Sequence, residues 1–124
     1  MTVPPVGGDR RRALGTSGED RAAAWYEEHG YEVVDRNWRG RAGEIDLVAR
    51  RGGTLVFSEV KTRSGRSFGE PFEAVTAAKQ SRLRKLAAEW LRSRRASLPP
   101  AALDIRFDVV SVIGGRVDVL EEAF

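Results

Sequence analysis

The chain has 124 residues, a formal net charge of +3 and no cysteine. This length predicts one domain, and the lack of cysteine excludes disulfides and thiolate metal sites. No apolar run approaches the roughly 20 residues of a membrane-spanning helix, and the N-terminus lacks a signal-peptide stretch. We therefore expect a cytoplasmic protein that does not enter a membrane.

Residues 1–12 contain prolines, glycines and an arginine triplet without periodicity, which predicts a disordered basic arm. A single domain should then occupy residues 13–124. Its first helix is predicted to begin near Thr16–Glu19, because this segment fits an S/T-x-x-E capping box. Glu19 is either the partner in that box or a carboxylate that reaches a metal site. The helix should end at His29-Gly30, since glycine is favoured after a helix C-terminus.

A short strand is predicted at residues 31–35, and a turn at residues 36–41. The turn carries three arginines around Trp38. This group could contact a phosphate backbone and stack on a base. The alternative is that Trp38 packs back onto the sheet.

Residues 43–63 are predicted to form two strands joined by Gly52-Gly53, because such a dipeptide supplies the two positive-φ residues of a type I′ turn. With these glycines as the loop, Asp46 lies opposite Glu59. Residues two apart on a strand share a face. Four polar side chains are therefore predicted on one side of the hairpin: Glu44, Asp46, Glu59 and Lys61. The alternate residues, Ile45, Leu47 and Ala49 on the first strand, should face a helix.

Opposed carboxylates destabilise a sheet unless something positive lies between them. A divalent cation with a preference for oxygen ligands would relieve the repulsion. The alternative is a solvated polar face in which Lys61 neutralises Glu44 or Glu59. The spacing is compatible with both interpretations.

The segment Ser64–Pro71 is rich in glycine and serine and is predicted to be a loop over this polar face. A second helix should run from Phe72 or Val75 to Arg94. Its apolar stripe consists of Leu83, Leu86, Ala87, Trp90 and Leu91. Lys79 and Gln80 fall on the side of the stripe, so they either extend to solvent or reach the polar end of the sheet.

Seven basic residues and one acidic residue lie between Lys79 and Arg95. Such a face is typical of a nucleic-acid binder, and a solvated helix face is the alternative. Further along, apolar residues alternate with polar ones from Leu103 to Val109, which predicts a half-exposed strand with the polar residues outside. A second hairpin turn is predicted at Gly114-Gly115. The predicted order of elements is α-β-β-β-α-β-β.

The segments Gly43–Ala49 and Phe57–Arg63 resemble the signature of the YraN family of small bacterial proteins. The resemblance covers most of the chain and includes Gly18–Ala23, Arg36–Arg39, Lys79–Leu83 and Arg106–Val110. That family is similar to the PD-(D/E)xK nuclease superfamily, particularly archaeal Holliday-junction resolvases. The resemblance implies an α/β fold of restriction-endonuclease type, with a mixed sheet flanked by helices. The chain departs from the superfamily motif at Ile45, where the motif has proline.

The resemblance further implies a Mg²⁺- or Mn²⁺-dependent endonuclease that hydrolyses phosphodiesters in DNA, with branched DNA in repair or recombination as the expected substrate. It makes Asp46 and Glu59 metal ligands, Glu19 a further ligand, and Lys61 the lysine of the motif. Gln80, or Lys79, matches a polar position of the following helix, and Gln80 joins the expected catalytic set.

The residues expected to contact nucleic acid are Arg36, Arg39, Arg63, Arg66, Lys79 and Arg82. A homodimer is expected because resolvases are dimeric and branched DNA suits two-fold proteins. The alternative function is a non-catalytic module that keeps the nuclease fold and binds nucleic acid or a partner protein.

Overall fold

The computed structural model describes the backbone of residues 10–63, 76–94 and 104–124, and the side chains of residues 18–62, 76–94 and 104–124. Two helices and five strands lie within these ranges and confirm the predicted order. They are α1 (Arg10–Glu28), β1 (Glu32–Gly40), β2 (Gly43–Arg51), β3 (Thr54–Arg63), α2 (Ala77–Ser93), β4 (Asp104–Ile113) and β5 (Arg116–Leu120). The loop predicted at Ser64–Pro71 lies outside the described residues.

The five strands form one mixed sheet in the order β1-β2-β3-β4-β5. Only β3 and β4 are parallel; the other neighbouring pairs are antiparallel. Parallel neighbours need a long crossover connection, and the chain between β3 and β4 contains α2. The predicted mixed sheet flanked by helices is confirmed.

Each face of the sheet carries one apolar layer with one helix. Ala22 and Tyr26 of α1 pack with residues of the central strands on one face. Leu86 and Trp90 of α2 pack on the other face. The residues of the α1 layer include Leu47, Ala49, Val56, Val110 and Val112, and those of the α2 layer include Ile45, Val48, Leu55 and Phe57. Because both faces are covered, the central strands are apolar on both sides.

The predicted stripe of α2 is confirmed, since Leu83, Leu86, Ala87 and Trp90 are buried and Leu91 is half-buried. The helix begins after Thr76, whose hydroxyl accepts a hydrogen bond of 3.2 Å from the Lys79 N–H. Threonine is a favoured N-cap for this reason. The described part of the chain contains no helix that is long and apolar enough to cross a membrane.

The start of the first helix was predicted too late. Helix α1 begins at Arg10, so Thr16–Glu19 lies inside the helix and does not cap it. Arginine, alanine and leucine are strong helix formers, so the helix continues through the arginine triplet that was assigned to a basic arm. Residues 1–9 of that arm lie outside the described residues.

The turn predicted at residues 36–41 is wrong, because β1 continues to Gly40 and the chain reverses at Arg41-Ala42. A bulge between Val33 and Asp35 and a left-handed residue at Asn37, with a φ of 52°, interrupt the strand without ending it. Because of these irregularities, the apolar and polar residues of the strand do not alternate regularly, and the sequence pattern indicates a turn there instead. Trp38 packs against the α2 layer, as one of the two interpretations expected.

The exposure predicted for β4 is also wrong. Asp108 is only 1% exposed, whereas Ile105 is 41% exposed. Asp108 accepts hydrogen bonds from the Tyr26 hydroxyl at 2.7 Å and from Arg106 Nε at 2.9 Å, and Arg106 Nη2 also donates to the Tyr31 hydroxyl at 2.9 Å. A buried ion pair needs such additional hydrogen bonds to offset its desolvation. This network connects α1 to the middle of the sheet.

Candidate functional site

The predicted hairpin register is confirmed from Arg51–Thr54 to Leu47–Ser58. Only Gly52 of the glycine pair has a left-handed φ, of 58°, so the predicted type I′ turn is wrong although its two-residue length is right. The ladder stops at the next position, where Asp46 was expected opposite Glu59. At that position the Asp46 side chain replaces a backbone acceptor, because its Oδ2 accepts a hydrogen bond of 2.8 Å from the Val60 N–H.

The ladder with β1 is interrupted at the same residue. Arg36 pairs with Leu47 and Trp38 pairs with Ile45, so Asn37 is the residue opposite Asp46, but these two are not paired. Asp46 therefore lies at a break in both ladders. The alternation of side chains between the two faces of β2 is also interrupted there. Ile45 and Leu47 are two residues apart and would share a face in a regular strand, but Leu47 packs in the α1 layer and Ile45 in the α2 layer. The expectation that Ile45, Leu47 and Ala49 share one face is wrong for Ile45.

Asp46 is half-buried among negative charges. Burial is the main cause that raises the pKa of its carboxyl group from 3.8 to about 7, against the opposing effect of the Val60 hydrogen bond. The charges of Glu19, Glu44 and Glu59 raise the pKa further. Three carboxylates from α1, β2 and β3 thus act on Asp46 at this break, which favours either a proton or a cation at that residue.

Glu19 reaches this region because α1 approaches β3 closely. Gly18 is buried, and a Cβ on it would lie 1.9 Å from Thr62 Oγ1. Burial raises the pKa of the Glu19 carboxyl group, while a hydrogen bond from the Asn37 side chain and the charge of Arg36 lower it. Glycine at position 18 therefore positions a half-buried carboxylate next to the sheet.

Glu59 and Lys61 lie on the α2 side of β3, since Phe57 is on that side and residues two apart share a face. Glu59 Oε2 is buried and has no hydrogen-bond partner among the described residues. Lys61 forms no salt bridge within the described part of the chain, so the structure does not show it neutralising Glu44 or Glu59. The Glu44 carboxylate instead lies 3.8 Å from the Arg39 guanidinium.

A metal ion at the break would have carboxylate oxygens as its protein ligands. Within residues 18–62, 76–94 and 104–124, no group of three or more His, Asp or Glu side chains is arranged to hold a metal ion. Mg²⁺, however, is usually bound through one or two carboxylates, with waters and substrate phosphates as the remaining ligands. Asp46 and Glu59, with the unpartnered buried Oε2, fit that mode. Glu19 is close enough to influence Asp46 electrostatically, but it does not complete a three-carboxylate cage.

The residues expected to bind nucleic acid are distributed unevenly. Arg36 is engaged with Asp20 of α1, whereas the Arg39 side chain is 84% exposed. Lys79 is half-buried and Arg82 exposed on α2, and Gln80 is half-buried beside them. The side chain of Arg63 and all of Arg66 lie outside the described residues.

Two residues at this site were not predicted. Asn37 lies opposite Asp46 and has the left-handed backbone that interrupts the ladder there. In the sequence, only the tolerance of asparagine for positive φ indicates such a conformation. Ser111 of β4 is in register with Lys61 and fully buried, and its Oγ has no partner among the described residues. A serine within an apolar strand gives little signal, because β-strands often contain one.

The fold and the site define a small α/β protein with one mixed sheet and a carboxylate-rich break beside a lysine. The chain belongs to the family described as "Uncharacterised protein family UPF0102", whose model matches residues 18–112; this is the YraN family predicted from the sequence. It is 54% identical over 106 residues to a UPF0102 protein of Rhodococcus opacus (strain B4), covering 84% of this chain and 85% of the relative. It is also 50% identical over 118 residues to a UPF0102 protein of Symbiobacterium thermophilum, covering 91% of this chain and 97% of the relative.

Proposed function

We propose that the protein is a nuclease that hydrolyses phosphodiester bonds in DNA with the help of Mg²⁺ or Mn²⁺. The observation that carries this proposal is the break at Asp46, where a carboxyl group with a pKa near 7 lies close to the charge of Glu59. Lys61 follows two residues later on the same side of β3. Hydrolysis of a phosphodiester at neutral pH needs an activated water and neutralisation of charge on the phosphate.

A cation bound by Asp46 and Glu59 would supply a Lewis acid and lower the pKa of a bound water. Two side chains of the protein, Lys61 and Glu19, would assist such a cation in different ways. Lys61, without an ion-pair partner in the described residues, is available to donate to a phosphate oxygen or to orient the attacking water. Glu19 lies on the α1 side of the same break, and its charge adds to the preference of Asp46 for a cation.

The surface near the break supports an anionic substrate. Arg39 and Arg82 are exposed, and the carbon chain of Arg82 lies next to Gly43 at the start of β2. Exposed cations beside the site would attract a phosphate backbone. Branched DNA as the preferred substrate rests on the family resemblance. A homodimer rests on the same resemblance, and light scattering with and without junction DNA tests it.

Cleavage of a substrate panel with Mn²⁺ tests the proposal. The panel contains linear, nicked, flap, four-way-junction and single-stranded DNA, and RNA. We expect Asp46→Ala, Glu59→Ala and Lys61→Ala each to reduce the cleavage rate by about 10²-fold or more, the range for loss of a preorganised electrostatic group. Glu32→Ala, at an exposed position of β1, is the matched control and should cleave normally.

Cleavage that survives all three site substitutions would contradict the proposal, because a contaminating nuclease or a different site would then be responsible. Absence of cleavage of every substrate by the wild-type protein, with no Mn²⁺ binding even with DNA present, would also contradict it.

One observation favours a second function, a non-catalytic nucleic-acid-binding module. Among the described residues, no basic side chain within α2 forms a salt bridge, since Arg94, which pairs with Asp35, follows the helix. Arg82 and Lys85 therefore present exposed charge without an acidic ion-pair partner among those residues. This function predicts DNA binding that weakens steeply with salt and survives Asp46→Ala. Lys79→Ala and Arg82→Ala should each lower the slope of log K against log salt by about 1 if that side chain contacts a phosphate.

A further inference from the structure

Ser111 carries a buried hydroxyl group in the second half of β4. The residue is fully buried, and its Oγ has no hydrogen-bond partner among the described residues. A buried polar group without a hydrogen bond lowers the stability of the folded protein, so proteins retain few of them. Where one is retained, a catalytic role or a partner that arrives with a ligand is a common reason.

The strand register places Ser111 beside Lys61. Strands β3 and β4 are parallel, and Ser111 is the residue of β4 that pairs with Lys61. Paired residues of neighbouring strands point to the same face, and the strands lie about 4.8 Å apart. This face is the α2 side, because Val110 and Val112, the neighbours of Ser111 in the chain, pack in the α1 layer. The hydroxyl group therefore lies next to the base of the Lys61 side chain.

Buried polar atoms without partners are concentrated around Lys61. Three such side-chain atoms occur among the described residues, and two of them are Ser111 Oγ and Glu59 Oε2. Glu59 precedes Lys61 by two residues on the same face of β3, and Ser111 lies across from it on β4. A lysine ammonium has three donors and no acceptor, whereas hydroxyl and carboxylate oxygens accept hydrogen bonds. Both atoms are thus of the kind that an ammonium group needs.

A second buried serine shows that the hydroxyl of Ser111 is a special case. Ser58 of β3 is also fully buried, but on the α1 side its Oγ hydrogen-bonds with the Tyr26 hydroxyl at 2.5 Å. The two serines lie in neighbouring strands and are equally buried. Burial in this sheet therefore does not by itself leave a serine hydroxyl without a partner.

We infer that Ser111 is a positioning residue for Lys61, whose ammonium group donates a hydrogen bond to the Ser111 hydroxyl when it contacts a phosphate of the substrate. The other donors of the ammonium remain for a phosphate oxygen and the attacking water. Because this hydrogen bond forms with the substrate, it stabilises the transition state and not the free protein. The inference rests on the proposed function, because it places Lys61 at the reacting phosphate.

Steady-state cleavage by the full chain tests the inference, with melting of the metal-free protein as a readout that is independent of activity. Ser111→Ala removes only the hydroxyl oxygen. We expect kcat to fall about 10- to 100-fold and KM to change less than about 3-fold, since the lost hydrogen bond to a charged group forms in the transition state. The same variant should melt a few degrees above the wild type, because a buried polar group without a partner is removed.

Ser58→Ala is the matched control on the opposite face of the sheet. It should melt below the wild type, because the Tyr26 hydroxyl loses a partner, and it should keep the wild-type kcat. The two serine variants should therefore change stability in opposite directions, and only Ser111→Ala should change the rate.

Two comparisons separate the hydroxyl group from packing. Threonine and valine have nearly the same shape, so Ser111→Thr should cleave faster than Ser111→Val if the hydroxyl matters. In the Lys61→Ala background, Ser111→Ala should cause no further loss of rate if Ser111 acts through Lys61. Equal rates of the threonine and valine variants, or additive losses in the double variant, would overturn the inference.

The remaining outcomes distinguish this inference from the proposed function. If Ser111→Ala cleaves like the wild type, the inference fails while the proposed function stands. If Ser111→Ala melts below the wild type, the hydroxyl has a structural partner and the inference also fails. If the wild type cleaves no substrate of the panel and binds no Mn²⁺ even with DNA present, the proposed function fails, and the inference fails with it.

Discussion

Asp46→Asn should stabilise the metal-free protein at neutral and alkaline pH. The Asp46 carboxyl group has a pKa of about 7 in the folded protein against an ordinary value of 3.8, chiefly because of burial. An acid with a raised pKa binds more protons in the folded state, so stability falls as the pH rises from about 4 to about 7 and stays lower above that range. Asparagine carries no charge, and its Oδ1 can still accept the Val60 N–H.

The size of the effect follows from the two pKa values. A difference of about 3 corresponds to roughly 4 kcal/mol, since one pKa unit is worth about 1.4 kcal/mol. Because Asp46 is only half-buried and interacts with neighbouring carboxylates, we expect about 2–3 kcal/mol. The variant should therefore gain this much relative to the wild type between about pH 4 and about pH 8.

Urea denaturation in the presence of a chelator, repeated across this pH range, measures the difference. Asp104→Asn, at an exposed position that begins β4, is the matched control and should differ from the wild type by the same amount at every pH. Adding Mg²⁺ at alkaline pH should stabilise the wild type and have little effect on Asp46→Asn, since a ligand that binds only the folded state stabilises it. A difference between variant and wild type that does not change with pH would refute the reasoning, because the pKa of Asp46 would then be ordinary.

Two further predictions concern the placement of α1, and urea denaturation checks both. Gly18→Ala should cost about 1–3 kcal/mol, since its Cβ would lie 1.9 Å from a side-chain oxygen of β3; Gly53→Ala, with nothing within 4 Å, should cost less than about 0.5 kcal/mol. Equal effects would show that α1 moves away easily. Tyr26→Phe should cost about 1–3 kcal/mol, because the buried Asp108 carboxylate loses a hydrogen bond of 2.7 Å. A neutral effect would mean that the network does not hold α1.

The hairpin register could be predicted because a two-residue loop fixes every cross-strand pair as far as the ladder continues. The order of elements could be predicted because turn signals separate the apolar segments and because α2 has a clear helical stripe of buried residues. What periodicity does not show is which face of a strand is buried. The side chain of Asp108 in β4 is buried, where it accepts hydrogen bonds from Arg106 and from Tyr26, which lies 82 residues away in the chain. No local pattern in the chain records a partner at that separation.

The candidate site was only partly predictable for the same reason. The pairing rule placed Asp46 and Glu59 close together, and the structure keeps them close enough to interact. The rule also assumed a continuous ladder, so it could not show that the ladder ends at Asp46 or that Ile45 changes layer. Asn37 was assigned to a turn because its segment resembles one, although the structure keeps it within a strand.

The local interactions at the break around Asp46 lower the stability of the folded protein. A left-handed asparagine lies in a strand, a side chain replaces a backbone partner, and several carboxyl groups of like charge lie near one another. The apolar layers on both faces and the buried network around Asp108 offset these costs from a distance. Proteins tend to break local rules at functional sites. A strand that served only for packing would gain stability from a continuous ladder and an apolar residue at position 46, and this difference is the reason for proposing a cation at the break.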